Sequence, residues 1–305
     1  HPSGGNTGRI EVATGDLEAT SGSTTRYFGN CEYVAPDDAT QGHNNNNCSY
    51  REITVSGSGT NWSFGFAGST HREIPAIKAW QNCETGVTVN NIQLSGDGLV
   101  MLGFKTTNLG NGLFHYEYVL FNMNADLALG SFSVPIGANV ALSNIEFHDI
   151  TYRGGDGGGG VNYDGTGWPS VNAGGSMTWA TTPYANNHNA NAIRWATTYS
   201  FRFDANAGPV TGALTIGTFK NAGSVQTNGE YPGGTVSPGT AFCPGDGTLS
   251  TLCPCFNLGN PGNGCANSQN PAGAALTAAG TVTPDSVVFT AAGELPTALS
   301  IVLQG

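Results

Sequence analysis

Two segments of the chain each carry a histidine and a glutamate two residues apart, which are residue types that bind transition metals or transfer protons. In FHYEYVLF, the two-residue period of a β-strand puts His115 and Glu117 on the same face. In NIEFHDI, Glu146 and His148 share a face in the same way. If the two strands converge, their imidazole and carboxylate groups form a metal site or an acid/base pair. The alternative is a hydrogen-bonded polar ladder across a sheet.

The first residue, His1, suggests a different metal site. An N-terminal histidine can chelate copper through its amine and imidazole, as in the histidine brace of lytic polysaccharide monooxygenases, which are also β-sandwiches. Such a site needs a pre-organised first residue, whereas PSGGNTG follows here without any pattern. A start without Met leads us to expect that a signal peptide has been removed. A histidine left by that cleavage is the favoured explanation, with a copper-dependent oxidative enzyme using His1 as an alternative.

A glycine-rich segment, RGGDGGGGVNYDGTGW at 153–168, carries Asp156 and Asp164. It does not join a strand to a helix, so a phosphate-binding loop is disfavoured. It also lacks the regular Asp spacing and terminal Glu of an EF-hand. Calcium held by Asp156, Asp164 and backbone carbonyls is one hypothesis for this segment, and an ordinary surface loop is the other.

Four aromatic residues near this segment have the flat apolar rings that stack on sugars. They are Trp168, Trp179, Tyr184 and Trp195. Aromatic residues that alternate along strands also build β-sheet cores. The sequence therefore predicts either a carbohydrate-binding surface or a core at these positions.

The seven cysteines fall into an N-terminal group of three and a C-terminal group of four. They are Cys31, Cys48 and Cys83, then Cys243, Cys253, Cys255 and Cys265. A disulfide framework is favoured over metal, because Cys-Pro-Cys is not the spacing of a zinc knuckle and no histidine is near it.

Disulfide geometry limits how these cysteines can pair. A bond between Cys253 and Cys255 would be strained. Two pairings remain for the C-terminal group: 243–255 with 253–265, or 243–253 with 255–265. In the N-terminal group we expect a disulfide to hold the polar loop between Cys31 and Cys48, and the third cysteine to be a free thiol or an intermolecular bridge.

Composition restricts the possible partners and the compartment. Charged residues make up 10% of the chain, glycine accounts for 46 residues, and the formal net charge is −11. Because the sequence has no basic patch, nucleic acid and anionic membranes are disfavoured as partners. No apolar run approaches the ~18 residues of a membrane-spanning helix. An uncharged polar surface on a glycine-rich β framework is typical of a secreted protein.

The periodicity predicts an all-β protein, an antiparallel β-sandwich of jelly-roll or immunoglobulin-like type followed by a small disulfide-stapled β module. We expect a sandwich domain at 1–220 with a mobile arm at 1–9, a Gly/Pro/Ser linker at 221–241, and the cysteine module at 242–305. IEVAT is a strand candidate, and REIPAIKAWQN can form a short helical turn. In the module, the apolar runs DSVVFTA and ALSIVLQG are expected to form a hairpin.

Two stretches resemble modules of large secreted proteins from planctomycete-type bacteria. FCPGDGTLSTLCPCFNLGNPGNGCANSQNPAGAAL and TPDSVVFTAAGELPTALSIVLQG are similar to their recurrent cysteine module, with its CPC core and GCANS-like turn. HYEYVLFNMNADLALGSFSVPI, NIEFHDITYRGGD and WATTPYANNHNANAIRWATTYSFRFDAN resemble the β domain that often precedes it. The resemblance implies no established activity, so it transfers no catalytic residue. In the resembling proteins further strands follow the hairpin, so we expect an unpaired sheet edge where this sequence stops.

These features together predict a structural role. We expect an extracellular subunit of a fibre, appendage or surface layer, joined to copies of itself or to other cell-surface components by strand exchange or edge pairing. A carbohydrate-binding or adhesion module is the alternative, and the copper enzyme is the second alternative. No cofactor other than calcium is expected.

Overall fold

The computed structural model describes residues 12–17, 25–33, 35–59, 61–152, 154–155, 157, 160–233, 244–279 and 287–297. Its strand pairings are antiparallel, which confirms the predicted all-β antiparallel class. No helix in these residues is long and apolar enough to cross a membrane.

The elements follow one another in chain order. The helices are α1 (Thr14–Leu17), α2 (Pro36–Thr40) and α3 (Ile77–Cys83). The strands are β1 (Tyr27–Glu32), β2 (Cys48–Ser58), β3 (Asn61–His71), β4 (Thr88–Gln93), β5 (Leu99–Gly110), β6 (Leu113–Asn122), β7 (Leu129–Pro135), β8 (Leu142–His148), β9 (Ser170–Ala173), β10 (Ser176–Ala180), β11 (Thr197–Ala205), β12 (Pro209–Thr218), β13 (Ser224–Pro232), β14 (Ala275–Ala279) and β15 (Val288–Ala292).

Two five-stranded sheets, β4-β5-β6-β11-β8 and β13-β12-β7-β10-β9, form the sandwich. Alternate residues of each strand point into one aromatic core, in which Tyr118, Phe132 and Phe201 are fully buried. Burial of a tyrosine requires a partner for its hydroxyl. Tyr118 donates its hydroxyl hydrogen to the carbonyl of Glu230 on β13 at 2.7 Å, which ties the two sheets together.

A separate three-stranded sheet, β1-β2-β3, and helix α3 cover part of the outer face of the first sandwich sheet. Cys48 and Ile77 pack there against Met101 on β5. Trp80 lies directly over Gly103, where a Cβ atom would be 3.3 Å from the indole ring. The glycine therefore allows the helix to approach the sheet closely. The N-terminal residues thus form an additional sheet and not strands of the sandwich.

Asparagine side chains and one disulfide hold the C-terminal module together. Cys253 and Cys265 are bonded, with their Cα atoms 5.8 Å apart. Asn263 and Asn267 donate to backbone carbonyls at 3.0 and 2.9 Å, contacts that strands would otherwise make. Asp246 accepts from the Gly262 amide, and this bond is the main cause that lowers the pKa of its carboxyl to about 2.

Two predicted element assignments were wrong. Residues 224–232, assigned to the linker, form β13 and pair along the whole of β12. Val12 and Ala13 of IEVAT are outside any strand, and the chain then turns into α1. Strand β15, which contains part of DSVVFTA, pairs with β14, and ALSIVLQG lies outside the described residues. The predicted mobile arm at 1–9 also lies outside them.

Candidate assembly surface

The β2–β3 hairpin is the most exposed part of the N-terminal sheet. Its eleven-residue strands pair from Tyr50 and His71 at the base to Ser58 and Asn61 at the turn. The base residues Cys48 and Tyr50 are buried, whereas most of β3 is exposed on both faces. The hairpin therefore extends away from the rest of the protein, and few of its residues are buried.

A row of aromatic residues follows one face of the hairpin. Trp62, Phe64 and Phe66 alternate with small residues along β3, so they share a face. The side chains of Phe64 and Phe66 are 55% and 76% exposed. Val55 and Ile53 lie directly opposite these phenylalanines on β2. We call these five residues the aromatic face, and an exposed apolar patch of this kind marks an interaction site.

The edge of β3 has no protection against pairing. In the part of the chain that the structure describes, β3 pairs with β2 on one side and with no strand on the other. Exposed edges are normally blocked by charged side chains, proline or bulges. From Asn61 to Thr70 the strand carries no charged residue and no proline, and its bulge lies beyond Ala67. Asn61–Ala67 is thus an open, uncharged edge.

The base of the hairpin is held firmly. The Asn30 side-chain oxygen accepts hydrogen bonds from the Ala76 amide at 2.8 Å and from the Cys48 thiol at 3.1 Å. Asn82 on α3 donates to the hydroxyl of Tyr50 at 3.1 Å. These contacts join β1, β2 and α3, so the exposed strand is presented in one orientation.

Charged side chains of the sheet lie near its base and beside one end of the aromatic face. Arg26 makes two hydrogen bonds of 2.8 Å to Glu52, and this pairing lowers the pKa of the Glu52 carboxyl. Burial raises the pKa of Glu32 to about 7. The guanidinium of Arg51 lies 4.8 Å from the ring centre of Phe66, which places one cation beside the aromatic face.

The predicted convergence of His115, Glu117, Glu146 and His148 was wrong. The first pair lies on β6 and the second on β8, but the sheet order places β11 between these strands. Neighbouring strands are about 4.8 Å apart, so the two pairs are separated by about twice that distance. Arg202 on β11 lies between Glu117 and Glu146, so the two pairs do not form one site.

Each of these side chains has a different setting. His115 lies 2.6 Å from Asp204, and Glu146 forms an ion pair with Arg202. His148 is 3.6 Å from Asp16 on α1. This is the polar ladder that the sequence left as the alternative. Among the described residues, no group of three or more His, Cys, Asp or Glu side chains is arranged to hold a metal ion.

Of the two candidate calcium ligands, Asp164 lies within the described residues. Asp164 accepts hydrogen bonds from the hydroxyl and the amide of Thr166 and from Asn187, and the Thr166 hydroxyl contributes most to lowering its pKa. This carboxylate therefore closes a local turn. Asp156 and the copper candidate His1 lie outside the described residues.

The four candidate sugar-binding aromatics divide into two pairs. Trp168 and Trp179 are 3% and 1% exposed in the sandwich core, so their assignment to a sugar-binding surface was wrong. Tyr184 is half-buried and Trp195 is 46% exposed. Tyr184 and Trp195 remain accessible to a ligand.

The cysteine pairs were partly predicted. Cys253–Cys265 belongs to the first alternative and excludes the second, while Cys243 lies outside the described residues and Cys255 is free and exposed. The disulfide expected across the loop from Cys31 to Cys48 is absent. Cys31 lies opposite Ser49 and Cys48 opposite Glu32, so the two thiols point to opposite faces of the sheet. Cys83, at the end of α3, is free and exposed.

The sequence contains a signal for the aromatic face, although none of the candidate sites predicted from the sequence includes it. The alternation of NWSFGFAG predicts a strand with one apolar face. Such a face is normally buried against a core. The face remains exposed here because the hairpin extends beyond its base. The local sequence pattern gives no information about that extension.

No protein-family model matches this chain, and no curated protein is significantly similar to it.

Proposed function

We propose that this protein is a structural subunit of an extracellular assembly, and that copies join through the open edge of β3. The uncharged, unpaired strand with its exposed aromatic row carries the proposal. Pairing of two such edges would satisfy the backbone groups of both strands and bring the phenylalanines of both copies into contact. An extracellular location is supported by the disulfide of the C-terminal module, because disulfides persist in oxidising compartments.

A second copy is the partner that fits this edge. The regular segment Asn61–Ala67 is centred on Phe64. Antiparallel self-pairing about that centre sets Phe64 against the partner's Phe64, and Trp62 against the partner's Phe66. Cross-strand aromatic pairs of this kind stabilise sheets. The segment also brings no charges together, although each copy has a net charge of −11.

A two-fold contact alone gives a dimer, so a polymer needs a second contact. The β14–β15 hairpin supplies a candidate, because Leu276, Val288 and Phe289 on its two strands are 60%, 61% and 54% exposed. A two-stranded hairpin with exposed apolar residues is marginally stable alone. Alternation of β3 contacts and β14–β15 contacts would produce a linear chain of subunits.

Charge placed at the centre of the proposed contact tests it. In Phe64→Lys, two ammonium groups would face each other across the two-fold axis. We therefore expect light scattering to show smaller assemblies for this variant than for the wild type. Phe64→Asp should behave in the same way. An equimolar mixture of the two variants should associate again, because lysine then faces aspartate. Ser56→Lys, with the same added charge on the other face of β2, is the matched control.

Charge placed at one of the two contacts should leave the other contact intact. Phe289→Lys should stop growth at dimers joined through β3, and Phe64→Lys at dimers joined through β14–β15. A wild-type protein that stays monomeric at high concentration, or a Phe64→Lys variant that assembles like the wild type, contradicts the proposal. Electron microscopy of native material should show polymers.

A further inference from the structure

Four loops, which follow β6, β8, β10 and β12, form a pair of clefts beside the sandwich. One cleft, of about 410 Å³, is lined by Tyr184, Phe219 and Lys220 among other residues. The other, of about 210 Å³, is lined by Tyr163, Trp195 and again Lys220. Because Lys220 lines both, we describe them together as the Lys220 cleft. It does not involve the aromatic face or the β14–β15 hairpin.

The walls of the Lys220 cleft are fixed by backbone hydrogen bonds. The amide of Phe219 donates to Ala128 at 3.0 Å, and that of Lys220 donates to Leu127 at 2.9 Å. These bonds join the β12–β13 turn to the segment before β7. The cleft is therefore preformed, as small-molecule sites usually are.

Aromatic rings line the cleft at two places. Trp195 presents an indole that is 46% exposed. Tyr184 is held between His188 and Phe219, with ring centres 4.2 and 5.2 Å away. Rings held in this way offer flat apolar surfaces with little loss of side-chain entropy on binding.

The charge of the cleft is opposite in sign to that of the whole chain. The smaller cleft is lined by Arg194 and Lys220, with Asp126 as its carboxylate. Lys220 contacts Asp126 at 2.7 Å. Arg194 stacks 4.0 Å from the ring centre of Tyr163, and its hydrogen bonds go to backbone carbonyls. Among described residues no carboxylate pairs with Arg194, so the cleft keeps a positive charge in an acidic protein.

We propose that the Lys220 cleft binds an acidic oligosaccharide. A sugar ring stacks on Trp195, and a carboxylate or sulfate on the sugar contacts Lys220 and Arg194. Aromatic lining with a few convergent polar groups is the usual composition of a binding site. An anionic group forms charge-assisted hydrogen bonds with both cations. A neutral sugar would leave the Arg194 charge without a partner.

Titration calorimetry with the full-length chain tests this proposal. The probes are short oligogalacturonates, sulfated oligosaccharides of similar length, and neutral cello-oligosaccharides. The double variant Phe64→Lys/Phe289→Lys is used as the background, so that neither proposed contact between copies contributes heat and the outcome is independent of the assembly proposal. We expect at least one acidic series to bind and the neutral series to bind much more weakly. The preferred series identifies the anionic group.

Variants then locate the binding site. Trp195→Ala should raise the Kd by about tenfold or more, as truncation of an aromatic anchor usually does. Lys220→Gln should raise the Kd of the acidic probes and reduce the difference in Kd between acidic and neutral probes. Tyr33→Ala, at a 73% exposed aromatic residue directly after β1, is the control and should leave binding unchanged. The proposal is overturned if no acidic probe binds, if neutral probes bind as well, or if Trp195→Ala binds like its parent.

Discussion

At the scale of single residues, three thiols of the N-terminal region lie in different environments. Cys48 is fully buried in the contact between β2, α3 and the sandwich, and burial raises its pKa to about 11. Cys31 and Cys83 are exposed. Because the thiolate is the reactive form, both burial and the raised pKa protect Cys48.

Alkylation should separate these thiols. At pH 8 we expect iodoacetamide to label Cys31 and Cys83 in the folded protein and to leave Cys48 unlabelled, as measured by peptide mass spectrometry. In denaturant, all three should react. Labelling of Cys48 at the rate of Cys83 in the folded protein would contradict the described packing of β2 on the sandwich.

At the scale of elements, the sandwich depends on contacts that cross between its sheets. Tyr118 on β6 reaches the carbonyl of Glu230 on β13 from within a fully buried environment. Burial raises the pKa of Tyr118 well above its usual value, so the hydroxyl stays a donor at ordinary pH. Strand β13 is therefore an integral part of the core and not a connection to the next module.

Removing this hydroxyl should destabilise the sandwich. Tyr118→Phe leaves the Glu230 carbonyl without its partner, and we expect the free energy of unfolding to fall by about 1–3 kcal/mol. Chemical denaturation monitored by tryptophan fluorescence measures the change. Tyr231→Phe, on β13 itself, is the control, since Tyr231 is only partly buried. Equal stability of the wild type and Tyr118→Phe would show that the bond between the sheets contributes nothing.

The elements also show how far local patterns determine this fold. Alternating runs such as FHYEYVLF and NIEFHDI predicted β6 and β8, because the period of a strand is contained in neighbouring residues. Strand β13 was missed because it lies in the segment 221–241, which is rich in Gly, Pro and Ser, and its pairing with β12 comes from the tertiary structure. Trp168 and Trp195 have the same residue type, and only the complete fold distinguishes the buried ring from the exposed one. The open edge of β3 could likewise not be predicted from local patterns, because it depends on which strands pair in the complete fold.

At the scale of the whole molecule, assembly has to overcome electrostatic repulsion. Each copy has a formal net charge of −11 at pH 7, with only ten basic residues in the chain. The paired segment Asn61–Ala67 carries no charged residue, so the net repulsion comes from the rest of each subunit. Repulsion of this kind extends over the Debye length, which is about 30 Å at 0.01 M salt and about 10 Å at 0.1 M.

Salt should therefore strengthen association through β3. Raising NaCl from about 0.01 to about 0.1 M shortens the Debye length threefold, so we expect the apparent dissociation constant measured by sedimentation to fall. An interface built on ion pairs would weaken under the same change. The effect should also shrink towards pH 5, because the sequence pI is about 4.7 and the net charge there is small. Weaker association with added salt at pH 7 would show that ion pairs hold the subunits together, and the uncharged edge of β3 would then not be the contact.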